Sequence, residues 1–182
     1  MAATGILELI DTTLKIGLGA TISGVVTYVV AKLNHERELI KIGAVRRLDS
    51  LEKASERAEQ YIMGWRQFAS TLGGIYKGPN APTEGFSDMQ WKRIKARDKT
   101  MLEAREHLHQ VVARLRLVGG NSAADHLIRM NKAIGSFRDP LILQKRLPSV
   151  EELRAARDEI SSTAKLFHQE MHALYTRMPD RA

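Results

Sequence analysis

The sequence predicts an all-α protein, in which an N-terminal transmembrane helix continues into a cytosolic bundle of about four helices. Three observations carry this expectation. Residues 16–31 contain no charge. Beyond them, apolar positions recur at alternating spacings of four and three, the rhythm of packed helices. Nowhere does this later part show the period of two that a strand requires.

Composition agrees with one folded domain and an appendage. The 182 residues are 43% hydrophobic and 27% charged, whereas disordered chains are poor in apolar residues. Cysteine is absent, which removes disulfides, thiolate metal sites and a cysteine nucleophile. The formal charge of +7 suits phosphate-rich partners, either lipid headgroups or nucleic acid. Enrichment of Lys and Arg on the cytoplasmic flank of a membrane helix accounts for part of that excess.

The charge-free run lies between Lys15 and Lys32, with Val25, Val26, Tyr28, Val29 and Val30 crowded into its second half. Sixteen helical residues rise about 24 Å, short of a hydrocarbon core of about 30 Å. Thr12, Thr13 and Leu14 extend the stretch upstream, and the two lysines can snorkel toward the headgroups. The competing reading is a buried helix of a soluble protein. A signal peptide fits less well, because the N-terminus carries Glu8 and Asp11 rather than a basic region. Lys32, Arg37, Lys41, Arg46 and Arg47 follow the run, so the positive-inside rule expects a single pass through the inner (plasma) membrane, with the N-terminus outside and the later residues in the cytosol. Small residues recur within the span as Gly19, Ser23 and Thr27, with Ala20 and Gly24 beside them. Such stripes let membrane helices approach closely.

The expected division is residues 1–32 for the tail and span, and residues 33–182 for the bundle. Its first seam runs Ala44, Leu48, Leu51, Ser55, Ala58, Ile62, Trp65, Ala69 and Leu72 without a proline. Gly73, Gly74, Gly78, Pro79, Pro82 and Gly85 predict a loop over 73–86. Ser87 and Gln90 form a capping box opening a second helix, with its seam at Trp91, Ile94, Met101, Ala104, Leu108, Val111, Leu115 and Val118. Gly119 and Gly120 end it. Ser122 with Asp125 is expected to cap a shorter helix through Leu127, Ile128 and Ile134, ending near Gly135. Residues 136–149, containing Pro140, read as a connector. Ser149 and Glu152 then open a last helix, with its seam at Leu153, Ile160, Ala164, Phe167, Met171, Leu174 and Met178.

Few residues point to chemistry. His168 and His172 stand one helical turn apart, which could hold a metal, but the zinc-protease pattern needs Glu where Gln169 stands, and no third ligand is evident. Both flank the seam residues Phe167 and Met171, so boundary histidines on a bundle are the better reading. His107 and His109 straddle Leu108 and point to opposite sides of it. Arg105 and His109 approach the catalytic pattern of the helical HEPN ribonucleases, but three residues separate them where that pattern needs four to six. Lys92, Arg93, Lys95, Arg97 and Lys99 make the densest basic run, able to bind nucleic-acid phosphates or anionic lipid, or simply to form a solvated face. No phosphate loop or Ser/His/Asp arrangement is present, and no cofactor is expected.

The order of elements, together with the turn Arg114-Leu115-Arg116-Leu117-Val118-Gly119 followed by Ala123 and Ala124, resembles small bacterial single-pass helical membrane proteins, and among them the accessory membrane protein of type VI-B CRISPR systems. That resemblance implies a non-enzymatic effector, an oligomeric membrane pore in antiviral defence. The partners expected are then the lipid bilayer and further copies of the chain. Two alternatives differ in what they ask of the span. A membrane-tethered scaffold or adaptor would offer its seam to a protein partner, and a tethered nucleic-acid binder or HEPN-like ribonuclease would use the span only as an anchor.

Overall fold

A computed structural model describes the backbone of residues 2–177 and the side chains of residues 27–177. All regular structure among them is helical: α1 (Ala2–Lys77), α2 (Asp88–Arg105), α3 (Leu108–Leu117), α4 (Asn121–Leu143) and α5 (Val150–Thr176). The chain divides into two units, Met1–Val45 and Arg46–Ala182.

In the first unit, residues 27–43 are exposed throughout. Tyr28, Val29, Val30, Leu33, Leu39, Ile40, Ile42 and Val45 all present apolar surface there. The expected span overlaps this stretch only from Thr27 onward. The side chains of Gly19, Ala20, Ser23 and Gly24 lie outside the described residues. Among those described, no helix is long and apolar enough to cross a membrane.

The second unit is a helical bundle with one apolar core. Of the first expected seam, Leu51, Ala58, Ile62, Trp65, Ala69 and Leu72 are buried here and Leu48 and Ser55 are half-buried, while Ala44 belongs to the first unit. Ala54, Tyr61, Phe68 and Ile75 are buried as well, so the stripe is wider than a two-position seam. That width follows from α1 meeting three neighbours. Gly64 faces Met101 of α2, where an added Cβ would stand 3.1 Å from the Met101 backbone. The Tyr61 hydroxyl donates to Asn131 Oδ1 of α4 at 2.9 Å, and Trp65 meets the edge of Phe137 at 5.7 Å. Glu59 pairs with His168 of α5.

Both predicted capping boxes form. Ser87 and Gln90 exchange side-chain and backbone bonds at the start of α2, as do Ser149 and Glu152 at the start of α5. The end predicted at Gly119 is also present: Gly119 adopts φ +85°, its N–H reaches Arg116 O, and Gly120 N–H reaches Leu115 O at 2.7 Å. Those two bonds are a Schellman closure, which needs a left-handed residue.

Four boundaries differ from the sequence reading. First, α1 continues through Gly73 and Gly74 to Lys77 rather than stopping at Leu72. Burial of Leu72 and Ile75 outweighs the helical cost of a glycine, about 1 kcal/mol. Second, the helix expected over 87–118 is broken at Glu106 and His107 into α2 and α3, at a place with no glycine or proline to announce it. Third, α4 begins without a Ser122 cap, since Gly120 is its N-cap and makes no side-chain bond. Fourth, the same helix runs past Gly135 and through Pro140 to Leu143, so most of the expected connector is helical. Pro140 removes one amide donor near the helix end, where tertiary contacts hold its neighbours: Phe137 on Trp65, Arg138 on Asp98, and Leu141 in the core.

Candidate functional site

The residues singled out from sequence do not converge. Arg105 ends α2 and His109 lies in α3 beyond the break. Both are exposed, and no hydrogen bond joins them. Among the described residues, no three His, Asp or Glu side chains are placed to hold a metal ion. His168 turns to Glu59 on α1, while His172 is exposed one turn further on. The basic run of α2 is a solvent-facing surface. Lys95 sits over the Trp91 ring at 5.5 Å, Arg97 donates to Gln67 Oε1 at 3.2 Å, and Lys92, Arg93 and Lys99 are exposed. Trp91 in turn stacks on Phe86, which meets Tyr76 edge-on, so the aromatics pin down the loop before α2.

Two features went unread in the sequence. One is a buried ion pair: Asp98 accepts from Arg138 Nε at 2.5 Å and from Nη2 at 2.9 Å, while Nη1 donates to Asp139 at 2.8 Å. Asp98 and Arg138 side chains are only 9% and 11% exposed. The hydrogen bond to Asp98 holds the Arg138 guanidinium above its ordinary pKa, against the opposing effect of burial. Asp98 occupies the gap in the α2 seam between Ile94 and Met101. A missing apolar residue at a position that periodicity places inside was the available signal.

The other is a cleft of about 640 Å³ between the C-terminal part of α1 and the N-terminal half of α5. That volume is typical of small-molecule sites. Its floor is apolar, formed by Ile62, Trp65, Ala69, Leu153, Ile160 and Ala164. Its polar lining holds Arg66, Lys77, Arg154 and Arg157 with a single carboxylate, Asp158, and the hydroxyls of Ser70, Ser161 and Tyr76. No family model, curated protein or solved structure matches the chain.

Sequence proximity explains half of the cleft. Arg154, Arg157 and Asp158 follow one another around the first turns of α5, and Arg66, Ser70 and Gly73 repeat at three and four along α1. A Cβ added to Gly73 would stand 3.5 Å from Arg157 Nη1, which places that guanidinium directly over the α1 backbone. The Tyr76 hydroxyl donates to Pro148 O, tying the end of α1 to the turn before α5. Burial, reinforced by the Glu152 charge, pushes the Tyr76 pKa up to about 12, so this tie persists across neutral pH. Glu152 is held below the usual carboxylate range by the Ser149 N–H and by Arg146.

Proposed function

We propose that the protein is a non-enzymatic, membrane-anchored effector that works by self-association, with its helical bundle on the cytosolic side of the inner membrane. The observation that carries this reading is the exposed apolar surface of α1 between Tyr28 and Val45. Two kinds of cover are required. Tyr28, Val29 and Val30 continue the charge-free run and suit lipid. Leu39, Ile40, Ile42 and Val45 are interleaved with Glu36, Arg37, Glu38, Lys41, Arg46 and Arg47, and burying them in hydrocarbon would carry those charges along. A neighbouring copy of the same helix can cover these apolar residues while the charges interleaved with them stay within reach of water or of opposite charges on that copy. A closed ring of such contacts gives the pore form that the resemblance to membrane effectors of antiviral defence implies.

The test separates anchoring from association. Ile40→Ser with Ile42→Ser should reduce the assembly's mass in nanodiscs while leaving the chain in the membrane fraction. Retention of the full assembly by this variant would remove α1 packing as its basis. Loss from the membrane fraction would show that the segment serves as anchor rather than as interface.

A further inference from the structure

We propose that the cleft between α1 and α5 binds an organic phosphate, a phosphoryl group attached to a larger organic body. Charge makes the first point. Three arginines of the bundle find carboxylates, Arg116 with Asp125 at 3.6 Å, Arg146 with Glu152 at 2.9 Å, and Arg138 with Asp98, while others such as Arg93 and Arg105 stand singly on the surface; the cleft instead gathers its cations at one place. Lys77, Arg154 and Arg157 pair with no described carboxylate, and the hydrogen-bond partner of Arg66 is the Met63 sulfur at 3.8 Å. Four cations against one carboxylate repel one another in a concave site, where a phosphate would relieve the repulsion and accept planar arginine donors.

Shape makes the second point. Inorganic phosphate would fill only a small part of about 640 Å³. The remaining volume admits a base, ring or acyl segment beside the phosphoryl group, above a floor of Trp65, Leu153 and Ile160 that is itself buried. The start of α5 is not the anion-binding element, because its capping box occupies the Ser149 and Glu152 amides and Glu151 and Glu152 already place negative charge there. Recognition therefore falls to the side chains. This chemistry has two natural sources, a soluble nucleoside phosphate and the headgroup region of an anionic phospholipid, and it does not depend on how α1 meets the membrane.

The experiment uses the full chain in phosphatidylcholine nanodiscs, carrying Trp91→Phe so that Trp65 is the sole indole. One arm titrates ATP and inorganic phosphate; a second replaces part of the phosphatidylcholine with phosphatidic acid. Saturable change in Trp65 emission with ATP, or with phosphatidic acid, supports the proposal and names the source. Inorganic phosphate should bind at least tenfold more weakly than ATP if ATP is the responding ligand. Arg154→Gln with Arg157→Gln, both exposed and outside the core, should weaken the response at least tenfold without altering the melting curve. Asp158→Asn should tighten it severalfold by removing the opposing charge. Lys92→Gln with Arg93→Gln on the α2 surface should leave it unchanged. Silence in both arms, equal loss in the α2 variant, or no tightening by Asp158→Asn would overturn the proposal.

Discussion

Asp98→Ala isolates the buried ion pair and should destabilise the bundle by about 3 kcal/mol. Removing one member of a buried pair typically costs about 3–5 kcal/mol, because the remaining charge stays desolvated. The lower end applies here. Arg138 loses two bonds, at 2.5 and 2.9 Å, but keeps its 2.8 Å bond to Asp139, whose side chain is 52% exposed. At about 2–4 °C per kcal/mol for a domain of this size, the melting temperature should fall by roughly 6–12 °C. Urea unfolding followed by circular dichroism measures the loss, and the midpoint should move with little change in slope. The pair should also be replaceable: Asp98→Leu with Arg138→Met removes both charges and should recover most of the stability. A loss below about 1 kcal/mol for Asp98→Ala, or a double variant as unstable as the sum of its singles, would refute the pair as the polar centre of the core.

Three further outcomes follow from single residues. Burial pushes the Tyr61 pKa up to about 12, opposed by the positive charges of Arg105 and Arg138, so the folded state holds its proton where the unfolded chain releases it near 10. Its contribution is complete below pH 10 and is lost as pH rises through about 12, an effect of about 2–3 kcal/mol; tyrosinate absorbance should therefore rise together with unfolding, and release of this proton near pH 10 in the folded state would contradict it. Gly119→Ala, at φ +85°, should cost about 1–2 kcal/mol in the same urea assay, and an unchanged midpoint would mean that the α3 closure is not strained. Arg105→Ala with His109→Ala, both exposed, should change stability by no more than about 0.5 kcal/mol per site and leave any effect on cells intact; loss of that effect in a folded, membrane-inserted variant would favour the ribonuclease reading over assembly.

Periodicity made the helical class and most of the core legible, because a buried stripe on a helix writes itself into the sequence at spacings of three and four. Ile62, Trp65, Met101, Leu115, Ile160 and Phe167 were all placed in this way and are buried. Short-range chemistry was readable at Ser87, Ser149 and Gly119, since a capping box or a left-handed glycine depends on neighbours within a few residues, but the cap expected at Ser122 gives way to a start at Gly120. What could not be read depends on partners far along the chain. Glycine and proline normally stop helices, yet Gly73, Gly74 and Pro140 lie within helices that long-range packing sustains. Asp98 and Arg138 are 40 residues apart, and neither shows alone that it is buried. The cleft was invisible for the same reason: Arg66 and Arg157 look like ordinary surface cations until α1 and α5 bring them to one site.

The measurement that bears most directly on the assembly reading is the mass of the full chain in nanodiscs, by light scattering or native mass spectrometry. Several copies per disc are expected, and a smaller assembly after Gly19→Leu with Ser23→Leu, since bulky residues obstruct close helix approach while remaining favourable in lipid. A single copy per disc at all protein concentrations, or an unchanged assembly in both the Gly19/Ser23 and Ile40/Ile42 variants, would contradict it.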